Sequence, residues 1–402
     1  MESSKMTEGQ MRAHEVLDEA FGEPEKGAKL LQVHAPGRSE IAGNHTDHEG
    51  GHVIAGALDV AIDAVARKTE GTLIRLASDG YPLVTVDASD LSIHEDEKNT
   101  TAALVRGLAA CMAEGGRVPS GFDIALTSTI PVGGGLSSSA AIEAALGRAM
   151  EALWDGKSYD ALELARMCQK VENVYFGKPC GLMDQSSACL GGLAFINFFD
   201  KENPKAEKLV YDFEDAGYAL ILAKVGASHE DLTDAYAAIP EEMQEVARTF
   251  GKVRLADVDE KKFLDAVPEL RKKLGDRPVL RALHYWNEDR LVQKRWQALQ
   301  EGNIEEFLAL TRASGKSSAM YLQNVTTGNA EQPAMVALAL AERLLEGKGA
   351  CRIHGGGFGG TIQCFVPLAE AGQFQERMDA WLGKDATRRY HIAERGAFAS
   401  WE

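Results

Sequence analysis

Residues Pro131 to Ala141 read Pro-Val-Gly-Gly-Gly-Leu-Ser-Ser-Ser-Ala-Ala. Gly133, Gly134 and Gly135 remove three Cβ atoms in a row, so backbone N–H groups can approach an anion closely. Ser137, Ser138 and Ser139 add hydroxyls that can bond phosphate or a hydrated magnesium ion. Ala141, Ile142, Ala145, Leu146, Ala149, Met150 and Leu153 then fall on one face at helical spacing. The glycine–serine loop is therefore predicted to open a helix, whose unpaired amides and dipole favour bound phosphate. No Gly-Lys-Ser/Thr follows it, and it is not the dinucleotide-binding fingerprint either, which needs Gly-x-Gly-x-x-Gly tightly following a strand with an acid about twenty residues on. A flexible Gly/Ser linker would not run into a strongly amphipathic helix.

Two further constellations carry polar groups in unusual density. Gly37 to Gly51 packs Arg38, Glu40, Asn44, His45, Thr46, Asp47, His48 and Glu49 between two apolar strands. A sugar site needs this, because each hydroxyl wants both a donor and an acceptor. A metal site built from His45, Asp47, His48 and His52 is the rival reading, although the spacing fits no usual zinc pattern. A plain polar loop remains open for Thr46 and Glu49. In the other constellation, Asp184 is the one acid in the uncharged run from Pro179 to Ala194, which marks either a capping residue or a working group. Glu172 precedes it by twelve residues and alone would pass as a surface residue. A last glycine-rich loop, His354 to Thr361, joins two apolar segments and predicts close backbone approach to a ligand or to another loop.

The elements that must position these groups are legible in outline. A helix is expected over 11–21, with strands at 30–34, 53–66, 72–77, 122–126, 193–198 and 218–225. A further helix is expected from Tyr159 to Tyr175, mostly helical chain over 231–347, and a strand from Ile362 to Val366. The cations between 258 and 296, Arg295 among them, alternate with acids and read as a solvated helical face. The polar segment Asp200 to Lys208 suggests a boundary between two α/β domains, 12–205 and 206–402. The 402 residues carry a net charge of −17, which argues against nucleic acid and anionic membrane as partners. Six cysteines without a C-x-x-C pair, and the absence of an apolar segment near the start, suggest a cytoplasmic protein.

Taken together and in order, these motifs resemble the GHMP kinase superfamily, and within it the galactokinase family. Gly37 to Gly51 is similar to the first motif, Gly-Arg-x-Asn-Leu-Ile-Gly-Glu-His-Thr-Asp-Tyr-x-Gly-Gly; Pro131 to Ala141 resembles the second and Gly355 to Gly360 the third. Pro179 to Gln185 resembles the segment that carries the family's base. The resemblance spans about 30–370 and implies a two-domain fold with the active site in the interdomain cleft. It implies ATP-dependent phosphorylation of the anomeric hydroxyl of galactose, with Mg2+ as cofactor. Residue by residue, it implies Asp184 as base and Arg38 as the cation beside it. Gly133, Gly134, Gly135, Leu136, Ser137 and Ser138 become the triphosphate cradle, and Ser139 and Glu172 the magnesium ligands. Asn44, His45, Asp47, Gly181 and Tyr236 become the sugar contacts.

Two departures from the family pattern bear on the sugar. Asn44 stands where the family has Glu, which the resemblance places toward the sugar's C6 end, and Glu40 stands where the family has Asn, two residues from Arg38. Kinases of N-acetylgalactosamine, arabinose or galacturonate, and a non-catalytic sugar sensor, are the alternatives. The presence of Arg38, Glu172 and Asp184 argues against the sensor. The residues leave oligomeric state open, a monomer included.

Overall fold

The computed structural model describes residues 6–131, 134–178, 180–200, 203–226, 233–326, 330–358 and 360–402. The first half of the chain opens with helix α1 (Glu8–Phe21), capped by a reciprocal Thr7–Gln10 pair. Strands β1 (Leu31–Ala42), β2 (His52–Lys68), β3 (Leu73–Ser78) and β4 (Val84–Asp87) follow, then α2 (Thr101–Glu114) and β5 (Phe122–Ser128). Next come α3 (Ser138–Leu153), α4 (Ala161–Val171), α5 (Met183–Leu190), β6 (Leu193–Asn197) and β7 (Lys205–Leu209). The second half runs β8 (Tyr218–Lys224), α6 (Thr233–Thr249), α7 (Glu260–Leu274), α8 (Asp276–Gln300), α9 (Ile304–Ser317), α10 (Pro333–Leu345), β9 (Ala350–Ile353), β10 (Thr361–Pro367), α11 (Ala371–Leu382), β11 (Thr387–Tyr390) and β12 (Phe398–Trp401). This is the mixed α/β fold the sequence implies.

Among the described residues, two sheets organise the molecule. The larger has the order β12-β1-β2-β5-β3-β4, with β6 on the free half of β2 and β7 beyond it. The smaller has the order β11-β8-β10-β9. Strand β2 is almost continuously buried, because α3 and α5 cover one region of it and α1 packs on it as well. The expected stripe on α3 lies in the main core with α2 and α4. The small sheet packs on α10 and α11 around a separate core, and α6, α7 and α8 hold a third.

The pairing cuts across the expected 205/206 division. Strand β7 begins at Lys205 and pairs with β6, and the last strand, β12, pairs with β1. The polar segment therefore contributes an edge strand to the first sheet, and the chain's last residues return to it. The expected solvated face of 258–296 also needs one correction. Arg295 is fully buried, because its guanidinium donates to the Ile41 carbonyl at 2.5 Å and stacks on Phe307. Burial and the neighbouring Arg352 push it down to about 9. Among the described residues, no helix is long and apolar enough to cross a membrane.

Candidate active site

Strand β1 breaks register between Pro36 and Arg38. This irregularity frees Gly37 to pass close to the glycine–serine loop, where a Cβ would press on Ile130 and the Leu136 carbonyl at 3.2 Å. Arg38 N–H donates to that Leu136 carbonyl at 3.1 Å, and its guanidinium reaches the Gly135 carbonyl. The loop is thus tied to the strand that presents Arg38.

Arg38 grips Asp184 with both ends of its fork, Nε to Oδ1 at 2.6 Å and Nη2 to Oδ2 at 2.7 Å. Ser137 Oγ donates to Asp184 Oδ2 at 2.5 Å. Asp184 sits in the first turn of α5, where the helix dipole also favours a carboxylate. Burial by itself would push Asp184 up, but the Arg38 charge and the bonds from Arg38 and Ser137 hold it below the usual carboxylate range. Its side chain keeps 28 % exposure, so one side of the carboxylate remains open to a substrate.

Ser137 adopts a left-handed backbone conformation (φ 56°) and spends its hydroxyl on Asp184, so it makes no side-chain cap for α3. The first-turn amides of α3, at Ser138 and Ser139, are left for another acceptor. Gly135 is also left-handed (φ 67°). Gly134, Gly135, Leu136, Ser137 and Ser138 therefore form a loop and helix start suited to a polyphosphate. Gly133 lies outside the described residues.

Glu172 is buried in a wide five-residue turn, Glu172–Phe176, that prolongs α4. Its Oε2 accepts from Gln185 Nε2 at 2.7 Å, while its Oε1 lies 3.8 Å from Lys178 Nζ. Its carboxylate, and separately the Ser139 hydroxyl in the first turn of α3, are hard oxygen donors of the kind Mg2+ takes. Glu143, on the same face of α3 as Ser139 and one turn further on, is fully buried and also accepts from Gln185. Burial and the Glu172 charge push Glu143 up to about 9. Sequence reading passed over Glu143, although an acid amid the Ala and Leu of α3 was a usable signal.

The other polar constellation faces the second half of the chain. His45 Nε2 lies 2.9 Å from the Gly356 carbonyl, which can only accept, so this nitrogen carries the proton. His45 Nδ1 is 3.1 Å from His48 Nε2, and His48 Nδ1 is 3.1 Å from Asp47 Oδ1. Burial and His48 push His45 down to about 3, leaving a neutral ring. Tyr236, half exposed, packs its ring 5.2 Å from His45. A Cβ on Gly356 would run into that ring, so the third glycine motif closes on Tyr236. A Cβ on Gly181 would meet only Asp47 Oδ2, at 3.0 Å. His45, His48, Asp47, Gly181 and Tyr236 thus adjoin one another, whereas His52 turns away to Asp289 at 2.8 Å. The four-residue metal reading does not come together.

Asn44 is placed differently from the expected open sugar contact. It is fully buried, its amide donates to the Gly355 carbonyl at 2.9 Å, and its Oδ1 accepts from Asn324 at 2.6 Å. Its backbone carbonyl faces His284 Nε2 at 3.0 Å. Glu40 pairs with buried Arg352 of β9, so the acid that departs from the family pattern is matched by a cation within the protein. Asn324, His284 and Arg352 were not read from the sequence, because each lies outside the motifs it serves.

The family model "GHMP kinases N terminal domain" matches residues 103–192, and "Galactokinase galactose-binding signature" matches 17–68. A galactokinase of Streptomyces coelicolor is 33% identical over 347 residues, 83% of this chain and 84% of its own. One of Lacticaseibacillus casei is 29% identical over 351 residues, 85% of this chain and 86% of its own. The structure of Lactococcus lactis galactokinase complexed with galactose matches with a TM-score of 0.80 at 23% identity, over 96% of this chain and 98% of that one. Methanococcus jannaschii mevalonate kinase matches at 0.63 and 16%, over 92% and 99%.

Proposed function

Because this chain belongs to the galactokinase family and so is an ATP-using sugar kinase, we propose that it transfers the γ-phosphate of ATP to the anomeric hydroxyl of galactose in the cleft between Arg38–Asp184 and Tyr236. The observation that carries this reading is the bidentate Arg38–Asp184 pair, bonded also by Ser137 of the glycine–serine loop. Phosphoryl transfer asks mainly for positioning and charge neutralisation. A carboxylate kept ionised by a guanidinium can orient and deprotonate the attacking hydroxyl. The sugar oxygen bonds to the γ-phosphorus, the bond to the β-phosphate oxygen breaks, and ADP leaves. The proton passes to Asp184 and from its open side to solvent.

Backbone amides of Gly134 to Ser138 and of the first turn of α3 hold the triphosphate. Ser139 and Glu172 are the residues that would hold Mg2+, which when bound offsets phosphate charge. His45, Asp47, Gly181 and Tyr236 contact the sugar. Asn44, engaged with Asn324 and Gly355, acts mainly by fixing His45 and the third glycine loop, so C6 is read more loosely than by a carboxylate at that position. Free thiols at all six cysteines support a reducing, cytoplasmic setting.

The test is ATP turnover with galactose, N-acetylgalactosamine, arabinose and galacturonate, with the product's phosphate position read by 31P and 1H NMR. Galactose is expected to give the highest kcat/KM and a 1-phosphate product. A product phosphorylated elsewhere, or no turnover on any of the four sugars, overturns the reading.

A further inference from the structure

Gln185 directly follows the base, yet its side chain points to a different task. It is fully buried, and its single amide nitrogen donates to two carboxyl groups, Glu172 Oε2 at 2.7 Å and Glu143 Oε2 at 3.2 Å. The reverse orientation would set the amide oxygen against the Glu172 carboxylate at 2.7 Å, so the geometry fixes the amide. Three elements meet there: α3 brings Glu143, the turn after α4 brings Glu172, and α5 brings Gln185. Glu143 lies one helical turn beyond Ser139 on α3. Gln185 therefore links the helix that carries one proposed magnesium ligand to the turn that carries the other.

The cluster is poorly suited to a purely structural role. Glu143 Oε1 and Gln185 Oε1 are buried without a hydrogen-bond partner among the described residues. Burying acceptors unpaired destabilises a fold, and apolar side chains of similar volume would pack there at less cost. Glu172 has its Oε2 taken by Gln185, is also bonded by the Cys180 thiol, and has its Oε1 3.8 Å from the Lys178 amine. A buried amide that holds one oxygen of a carboxylate does what an outer partner does for a metal-ligating carboxylate.

We propose that Gln185, anchored on Glu143, is a positioning residue that holds Glu172 at a fixed distance and orientation from Ser139 and so sets the affinity of the nucleotide site for its divalent cation. The proposal rests on the reading of Ser139 and Glu172 as that cation's ligands.

Binding decides it without turnover. Calorimetry with a non-hydrolysable ATP analogue, across a magnesium titration, gives the magnesium concentration for half-maximal nucleotide binding. Mn2+ electron paramagnetic resonance gives cation binding directly. Gln185→Leu is expected to raise that magnesium concentration roughly tenfold, with little change in nucleotide affinity measured without metal. Glu143→Ala should do the same more weakly, and Glu143→Gln, which keeps an acceptor for the Gln185 amide, should recover part of the loss.

The double variant Glu172→Gln/Gln185→Leu discriminates further. If Gln185 acts through Glu172, it requires no more magnesium than the worse single variant. Additive losses, or an unchanged magnesium titration in a folded Gln185→Leu protein, overturn the proposal. Should Gln185→Leu fail to fold, the Glu143 pair alone decides, and equal magnesium titrations for Glu143→Ala and wild type overturn it. If Glu172→Gln itself leaves the titration unchanged, the ligand assignment fails instead. Activity on sugars enters none of these measurements.

Discussion

The two sides of the cleft are built from different materials. On the phosphate side, motif meets motif: Arg38, Gly135, Ser137 and Asp184 all belong to glycine-rich or acid-bearing stretches, and they bond to one another through charge. On the sugar side, motif meets backbone and outsiders. Asn44 bonds to Gly355 and Asn324, and His45 to Gly356, all more than 270 residues further along the chain. The imidazole of His45 is neutral there. Moving a phosphoryl group requires charge, and charged residues in uncharged runs stand out in a sequence. Recognising hydroxyls can rest on neutral donors and acceptors beside a single acid such as Asp47, and a carbonyl such as that of Gly356 leaves no trace in the sequence. A charged, chemistry-bearing half therefore faces a recognising half that is neutral apart from Asp47. Substitutions in the two should fail in different ways.

The largest effect is expected at Asp184. Asp184→Asn keeps the shape and a hydrogen-bonding oxygen but cannot take the proton. A fall in kcat of about 10²–10⁴-fold is expected, with galactose and nucleotide binding, measured by calorimetry, close to wild type. Near-wild-type kcat would remove Asp184 as the base and with it the charged half of the comparison.

Arg38→Gln comes next, and its signature is a pH profile. Burial pushes Asp184 up, and the Arg38 charge and hydrogen bonds outweigh that to hold it low. Without the guanidinium, burial dominates and the carboxyl binds its proton at higher pH. Because the ionised form is the active base, the acid limb of kcat/KM moves to higher pH, alongside a lower plateau. An acid limb that stays in place while activity falls would mean that Arg38 serves only the phosphate.

The same division explains what could be read in advance. The helix after the glycine loop was legible because Ala141, Ala145, Leu146, Ala149, Met150 and Leu153 alternate with smaller or polar neighbours, and all of them are buried. Helix α2 was not, because residues 103–112 are buried all round and show no stripe. Strand β12 is four residues long and pairs with β1 at the opposite end of the chain, so no local pattern announces it. Arg295 looked solvated because the cations around it are interleaved with acids, and only the fold brings Ile41 and Phe307 to it. In the site, Ser137 and Asp184 stood out by type and spacing, whereas the roles expected of Arg38 and Glu172 came only from the family resemblance, Glu172 alone passing as a surface residue. Asn324, Arg352 and the Gly355 and Gly356 carbonyls were not legible, since their roles exist only once the smaller sheet and its loop meet β1.

A smaller effect is expected at Asn44, and it should differ in kind. Asn44→Asp retains the acceptor for Asn324 but loses the donor to Gly355, setting a carboxylate against a carbonyl in a buried slot. Leaving that acceptor unpaired costs about 1–3 kcal/mol. The expected outcome is a lower Tm and a galactose KM raised roughly tenfold as His45 and the glycine loop lose their brace. The acid limb of kcat/KM should stay where it is. A shifted acid limb would show that the two halves are electrostatically one.

The smallest effect, and the sharpest check on the boundary between the halves, is Tyr236→Phe. The ring lies 5.2 Å from His45 and against Gly356, and Phe preserves both contacts. Only the hydroxyl is lost. If it serves the sugar, one neutral hydrogen bond of about 1 kcal/mol disappears, which is a roughly fivefold rise in galactose KM with kcat nearly constant. Asp47, Glu40 and Asp184 all bear on this hydroxyl and, with burial, push it up to about 12, so it stays protonated and can donate. Tyr236→Ala removes the wall as well and should raise KM further, again with kcat less affected. Initial rates over a galactose series at saturating ATP separate the two parameters. A hundredfold loss of kcat in Tyr236→Phe, at unchanged KM, would place the hydroxyl among the groups that handle the reacting oxygen and move the line between the two halves to the far side of Tyr236.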